Sequence, residues 1–230
     1  MSRLNNFRLF AVVAFGAGAL AMPVNAWAKA VQIVPYAAVS STKGIKPNKV
    51  GKSTDSNTAT EETVTQRTTY GLRINVRMSR LFSLQLQGGT NKVDQTRKAS
   101  AMRDEYGDID FTKDANVDTS AQDATYKYNE EQRVGQVLVA IQPKLGKILQ
   151  AKIAAGVRAR ERFLKVTDKA TDKETSIHDP IRYNAVASAG FQARLLKAFS
   201  ATAEYNFYFL KFPKTEPHEQ EVLIGFGFQL

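Results

Sequence analysis

Few residues of this chain could support acid–base or nucleophilic chemistry. There is no cysteine, which excludes a thiolate nucleophile and a thiolate metal site, and there are only two histidines. His178 lies close in sequence to Ser176 and Asp179, whereas His218 lies in a separate polar segment. A Ser/His/Asp group is assembled by the fold, so closeness in sequence is weak evidence for one. We therefore predict that the protein is not an enzyme.

An acidic stretch at about 96–125 is the other candidate for chemistry, because clustered carboxylates can hold calcium. Its aspartates miss the spacing of the EF-hand loop. The sequence contains neither a glycine-rich phosphate-binding loop nor a Cys/His zinc spacing. We therefore predict no metal site and no cofactor.

The formal net charge is +10, from 32 Lys and Arg against 22 Asp and Glu, which raises the question of a nucleic-acid partner. The N-terminus argues against such a partner. Arg3 and Arg8 precede an uncharged apolar stretch at 9–22, as in a secretory signal peptide. That stretch is shorter than the roughly 20 residues of a membrane-spanning helix. We predict an exported protein with no nucleic-acid partner.

The boundaries of the mature protein follow from the cleavage pattern of small residues. We assign 1–28 to the signal peptide and 29–230 to a single domain. Three alanines fit the position before the cleaved bond: Ala26, Ala28 and Ala30.

A period of two predicts the elements that position the polar residues. Between Tyr70 and Met78, apolar residues at every second position alternate with polar or small ones. Successive side chains of a strand point to opposite faces, so such a run has one apolar and one polar face. Similar runs predict eight strands, at about 31–40, 63–78, 81–95, 126–143, 148–166, 180–196, 199–212 and 219–230.

The joins between these strands predict their order in space. The second and third, fourth and fifth, and sixth and seventh strands are joined by short turns, and most other joins are longer and polar. Successive joins of an up-and-down meander lie at opposite ends, so we expect all the short turns at one rim. Pro35 has no N–H to donate, so we expect a bulge or weak pairing in the first strand.

The chemistry of the two faces indicates a membrane barrel. The polar face is rich in Gly, Ala, Ser, Asn and Gln, which suits a crowded interior, and the apolar face carries aromatic residues near strand ends. Closure satisfies every backbone polar group in lipid. We predict an all-β fold, an antiparallel up-and-down transmembrane β-barrel of eight strands. A ten-stranded barrel is the alternative if 105–111 forms an extra hairpin.

The chain resembles the small bacterial outer-membrane β-barrel proteins of the eight-stranded OmpA/OmpX type. In that family the last strand has hydrophobic residues at every second position, usually ends in Phe, and is recognised by the barrel-assembly machinery. The residues that match are Val222, Ile224, Phe226, Phe228 and Leu230, with Leu in place of the usual terminal Phe. The resemblance implies a monomer in the outer membrane of a Gram-negative bacterium, surrounded by outer-membrane lipid and lipopolysaccharide.

Charged residues on the inward parity predict a charge network in the lumen. The interior of an eight-stranded barrel is just wide enough for side chains, so we expect arginines to bind inward carboxylates and amides. In particular, we expect Glu204 to be the counter-ion of one or more arginines. The predicted network comprises Arg73, Arg77, Lys152, Arg158, Arg160, Arg162, Arg182, Arg194, Glu204 and Glu221.

The first long loop carries a lysine at every third residue. These lysines would either contact the phosphates of an anionic leaflet or lie in solvent. They are Lys43, Lys46, Lys49 and Lys52.

The sequence favours a structural or surface-interaction role in the outer membrane. A narrow porin-like channel for small anionic solutes is the first alternative, because the inward charges are mainly basic. A lipid-modifying outer-membrane enzyme is the second alternative.

Overall fold

Eight antiparallel strands are hydrogen-bonded in chain order, and β8 returns to pair with β1, so the sheet closes into a barrel. The structure, a computed structural model, describes residues 30–42, 65–102, 104, 106–118, 120–121, 123–211 and 214–230. The strands are β1 (Ala30–Thr42), β2 (Thr65–Arg77), β3 (Phe82–Lys98), β4 (Thr125–Ile141), β5 (Leu149–Asp168), β6 (Glu174–Arg194), β7 (Phe199–Lys211) and β8 (Lys214–Gln229). The predicted fold class and the count of eight strands are confirmed.

The predicted signal peptide and the lysine-rich first loop lie outside the described residues. The lysines concerned are Lys43, Lys46, Lys49 and Lys52.

The period-two pattern separates the two faces as predicted. Polar residues of β7 such as Thr202, Glu204 and Asn206 are buried in the interior. Large apolar residues on the other parity, such as Val139 on β4 and Ile153 on β5, are exposed on the outer surface. This outward apolar band is the surface that a transmembrane barrel presents to lipid.

Pro35 interrupts the ladder between β1 and β8. Pairing runs from Gln32 and Ile33, stops, and resumes at Tyr36, without a change of register. The weak pairing predicted here is confirmed, and its cause is the missing N–H of proline.

Tyr36 lies inside the barrel across β2 and β3, where glycines leave room for its ring. Its hydroxyl donates to the Gly88 carbonyl at 3.3 Å. A Cβ atom at Gly71 or at Gly89 would lie 2.5 Å from the Tyr36 hydroxyl oxygen. Both positions therefore need glycine because of this close approach.

β6 begins six residues before the predicted position. Its register against β5 shifts between Arg160 and Arg162, opposite Pro180, so β6 carries one extra residue there. The predicted long polar loop is in fact strand plus a turn at 169–173. The prediction was wrong because a strand beyond the lipid needs no apolar face, so its period-two signal is weak. β8 likewise begins at Lys214 rather than 219.

Four strands extend beyond the apolar band. β3 to β6 have 17 to 21 residues, whereas β1, β2 and β7 have 13 each. The extensions form what we call the wall, made of 92–98, 125–131, 163–168 and 174–179.

The segment between β3 and β4, here called loop 99–124, folds against the inner face of the wall. It contains a 3-10 turn, Ala99–Ala101, and one helical turn, α1 (Phe111–Asp114). Its apolar residues and those of the wall form a small core, Ala99, Met102, Phe111, Ala115, Val117, Tyr126, Tyr128, Leu164 and Val166. No extra hairpin forms among the described residues of this loop, so the ten-stranded alternative is wrong.

Among the described residues, none of the helices has the length and apolar character needed to cross a membrane.

Candidate functional site

The lumen is filled by layers of bonded polar side chains, and Glu204 on β7 is at the centre of one layer. Arg73 on β2 donates from Nη1 to Glu204, and the Lys152 ammonium lies 2.6 Å from the other carboxylate oxygen. Arg73 also donates to Gln87 from Nε at 2.9 Å and from Nη2 at 2.7 Å. The Thr202 hydroxyl donates to Glu204 at 3.0 Å. One buried carboxylate therefore faces two buried cations.

Glu221 on β8 is bound mainly by neutral donors. The Tyr208 hydroxyl donates to it at 2.6 Å and the Asn206 amide at 2.8 Å. Gln136 donates to the Tyr208 hydroxyl at 2.8 Å, and the Arg158 guanidinium lies 3.6 Å from the centre of the Tyr208 ring. These bonds cross the lumen from β4 to β8.

Two bidentate ion pairs form the next layer. Arg158 donates to both oxygens of Glu219 at 3.2 and 2.8 Å. Arg67 donates to both oxygens of Glu130 at 3.3 and 3.0 Å. Two-point bonding of this kind fixes orientation as well as charge.

The predicted set did not include Arg67, Glu130 or Glu219. Arg67 has the same parity as Arg73, and Glu219 the same parity as Glu221, so the alternation carried the signal for both. Glu130 belongs to the wall end of β4, where the apolar face that marks the pattern ends.

Tyr106 of loop 99–124 lies in the lumen above these pairs and is 1% exposed. Its hydroxyl donates to Glu219 at 3.1 Å and accepts from Gln132 at 3.1 Å. Three guanidinium groups surround its ring, at 3.6 Å for Arg160, 4.5 Å for Arg162 and 5.1 Å for Arg67. Burial raises the pKa of the Tyr106 phenol, so this hydroxyl remains a donor at neutral pH.

Two aspartates of the same loop bind the outermost lumen arginines. Asp104 lies 2.8 Å from Arg162, and Asp108 lies 2.7 Å from Arg160. Asp179 of β6 also binds Arg162, at 2.9 Å. The acidic loop thus supplies counter-charges to the lumen, a role that its sequence did not indicate.

Other aspartates of the loop stabilise its own turns. Asp110 caps α1 and accepts from Thr112, and Asp118 accepts from Ser120. Bonds from the Thr112 and Ser120 hydroxyls lower the pKa of the two carboxyls. Among the residues described, no group of three or more His, Cys, Asp or Glu side chains is arranged to hold a metal ion.

The structure divides the predicted network by position along the barrel. Arg73, Lys152, Arg158, Arg160, Arg162, Glu204 and Glu221 are buried in the interior. Arg182 is not buried: its side chain is 45% exposed, and its Nε lies 3.4 Å from Asp179. Arg77 and Arg194 lie at the mouth formed by the short turns.

The mouth at the short turns opens into a polar cavity of about 50 Å³. Amides line it, and Gln32 accepts from Asn75 at 3.0 Å and from Gln192 at 3.1 Å. Arg77, Arg194 and Lys197 are its charged lining residues. The cavity is therefore basic, and it ends at the filled layers above.

Asp179 lies on the opposite face of β6 from Ser176 and His178. His178 faces outward, stacks on Phe163 with ring centres 4.7 Å apart, and lies 3.0 Å from a Glu161 oxygen. Asp179 faces the lumen and binds Arg162. Adjacent residues of a strand point to opposite faces, so this arrangement separates the acid from the base. The side chain of His218 lies outside the described residues.

The residues of the predicted assembly signal lie on β8 and directly after it. All five side chains are exposed on the outer surface: Val222, Ile224, Phe226, Phe228 and Leu230.

A closed eight-stranded meander with an apolar outer band and a filled polar interior defines a small transmembrane β-barrel of the outer-membrane type. No known protein family and no curated protein matches the sequence.

Among solved structures, the chain is similar to several barrels. The outer membrane protein OprG from Pseudomonas aeruginosa is 12% identical, with a TM-score of 0.48 over 89% of this chain and 97% of that one. The N-terminal β-barrel domain of Pseudomonas aeruginosa OprF is 12% identical, with a TM-score of 0.47 over 89% and 99%. Ail, the attachment invasion locus protein of Yersinia pestis, is 11% identical, with a TM-score of 0.46 over 87% and 98%. These likenesses concern the fold.

Proposed function

We propose that the protein is an integral barrel of the bacterial outer membrane with a structural or surface-interaction role, and that its lumen does not conduct. The observation that carries the proposal is the burial of Tyr106 among three arginines and Glu219. A loop that places an aromatic ring and two carboxylates inside the lumen serves to fill it. The structural or surface-interaction role then belongs to the outer surface of the barrel.

The filled lumen is costly to open. Removing one partner of a buried ion pair typically costs about 3–5 kcal/mol, because the other charge is left uncompensated. Opening a passage would separate at least the Arg158–Glu219 pair and the Arg162–Asp104 pair. This cost supports a permanently filled interior.

The wall offers a surface for interaction. Its outer face carries a cross-strand row, Lys92, Glu131, Phe163 and His178, in direct register across β3 to β6. Arg133 lies 4.9 Å from the centre of the Phe163 ring, and a groove of about 540 Å³ runs along this face. Loop 99–124 packs against the inner face of the wall, and this packing stabilises the outer surface.

The proposal places outer-membrane lipid and lipopolysaccharide around the apolar band of a monomer. It also assigns insertion to the barrel-assembly machinery, which would recognise the alternating outward residues of β8. The outward exposure of that strand supports this step.

A narrow channel for small anionic solutes is the second candidate. The basic cavity at the short-turn mouth favours it, since Arg77, Arg194 and Lys197 would attract anions. The layers around Glu204 and Tyr106 argue against a path beyond that cavity.

We propose no catalytic step. Ser176 and His178 lie on the outer face of β6, and no hydrogen bond joins them within the described part of the chain, whereas Asp179 faces the lumen and binds Arg162. The lipid-modifying alternative therefore has no assembled Ser/His/Asp group at this position.

Surface labelling tests the proposed orientation. The chain has no cysteine, so single cysteines report cleanly. We expect Lys113→Cys, in α1, to react with a membrane-impermeant maleimide on intact cells, because long loops of such barrels face outward. Lys147→Cys, in a short turn, is the matched control and should react only after permeabilisation. Labelling of Lys147→Cys alone on intact cells would refute the surface role.

A further inference from the structure

The rim formed by the three short turns has a charge of one sign. We call 77–82, 142–149 and 194–199 the short-turn rim. Its charged side chains are all cationic, and these described segments contain no Asp or Glu. The cations are Arg77, Arg80, Lys144, Lys147, Arg194 and Lys197.

Large apolar side chains are interleaved with these cations in every turn. They are between 49% and 66% exposed, although each turn is only a few residues long. They are Met78, Leu81, Leu145, Ile148, Leu195 and Leu196.

The rim cations are available for a partner. Five of them are exposed, namely Arg80, Lys144, Lys147, Arg194 and Lys197. Within the described part of the chain, none of the six rim cations forms an ion pair. Arg77 donates only to the Arg80 carbonyl, at 3.4 Å. No described carboxylate side chain therefore compensates the charge of the rim.

The charged side chains at the opposite end of the barrel are of both signs and form ion pairs. There Lys92 lies 3.8 Å from Glu131, and Lys165 lies 2.7 Å from Glu174. Both signs are interspersed on the wall, so the uniform charge of the short-turn rim is specific to that rim.

We propose that the short-turn rim binds the headgroups of anionic phospholipids in the leaflet on its side of the membrane. Exposed leucines and isoleucine would lie at the boundary between headgroups and acyl chains, as in interfacial segments. Cations beside them would lie at the level of the lipid phosphates, where they attract anionic lipids. The mouth residues Arg77, Arg194 and Lys197 would complete a ring around the cavity.

An acidic soluble polymer would account for the cations alone. It would leave the apolar side chains of all three turns exposed to water, whereas a lipid leaflet accounts for both sets of residues. The lipid is therefore the partner that the composition favours.

The test measures lipid selectivity of the full chain folded into phosphatidylcholine bilayers. Spin-labelled phosphatidylglycerol and phosphatidylcholine report the fraction of each lipid held at the protein surface. We expect phosphatidylglycerol to be preferred by about threefold or more, and high salt to reduce the preference. Substituting four exposed rim cations should abolish it: Arg80→Gln, Lys144→Gln, Lys147→Gln and Lys197→Gln.

A control of equal charge change carries four substitutions on the wall side: Lys92→Gln, Lys98→Gln, Lys127→Gln and Lys165→Gln. Both variants are first shown to fold by circular dichroism. The control should keep the preference for phosphatidylglycerol. Equal association of the two lipids with the unmodified chain would overturn the proposal, as would a preference lost only in the control. Binding of soluble polyglutamate at the rim without lipid selectivity would assign the surface to an acidic polymer instead.

Discussion

Glu204 shows how single residues hold the lumen together. It is buried between Arg73 and Lys152, so one carboxylate binds two cations in the interior. The neutral side chains Gln87 and Thr202 complete the layer. A buried charge that loses its partner is far less stable than the intact pair.

Replacing Glu204 with Gln should therefore destabilise the barrel strongly. We expect the free energy of unfolding to fall by about 3 kcal/mol or more, because the buried Arg73 keeps its charge without a counter-ion. Thermal unfolding of the protein in lipid or detergent measures the change. Glu131→Gln is the matched control, since this carboxylate is partly exposed and its change should cost under about 1 kcal/mol. Equal melting temperatures for the two variants would show that Glu204 is not the counter-ion.

The alternation of the sequence could predict which strand residues face inward. Arg73, Lys152 and Glu204 follow from it directly, and Arg67 and Glu219 were within its reach. The pairing of Arg73 with Glu204 could not be predicted from the alternation, because β2 and β7 are far apart in the chain and on different sides of the barrel. Tyr106 was beyond prediction, since a loop has no periodicity that indicates where its side chains point.

Loop 99–124 is the element that distinguishes this barrel from a bare meander. One side packs on the wall through Phe111 and Val117, and Tyr106 enters the lumen. Asp104 and Asp108 bind Arg162 and Arg160. Its acidic composition suggested contact with solvent or with a metal ion. The arginines that it neutralises lie on β5, 52 and 58 residues away in sequence.

Substitutions at Tyr106 test whether the loop is part of the folded lumen. Tyr106→Phe removes the bonds to Glu219 and Gln132 and should cost about 1–3 kcal/mol of unfolding free energy. Tyr106→Ala also removes the ring from three guanidinium groups and should cost about 3–5 kcal/mol. Denaturant unfolding of the barrel measures both. Lys113→Ala, on the exposed side of α1, should change the free energy of unfolding little. A Tyr106→Ala variant as stable as the wild-type protein would contradict a structural role for Tyr106 in the lumen.

The element boundaries were predicted best inside the apolar band. β5 was expected at 148–166 and lies at Leu149–Asp168. One face of this strand meets lipid and the other meets the lumen, so its residues alternate clearly. β6 was expected from 180 and begins at Glu174, since its first residues belong to the wall and meet water outside. Pro180 added a bulge that further disrupts the alternation.

At the scale of the whole molecule, the two ends of the barrel differ. One end carries the wall and loop 99–124, with both signs of charge, and the other carries the basic short-turn rim. The lumen arginines bind carboxylates and so add little to the net charge of +10, whereas the six rim cations add to it in full. This division, rather than the total, describes which partners the barrel can bind.

The central claim is that the lumen is closed by its own side chains. Planar-bilayer recording of the full chain, folded and inserted, tests it most directly. We predict no discrete current steps for the wild-type protein in potassium chloride, because paired charges and Tyr106 fill the interior. Reproducible anion-selective steps from the wild-type protein would contradict a closed lumen and would assign the protein to the narrow channels.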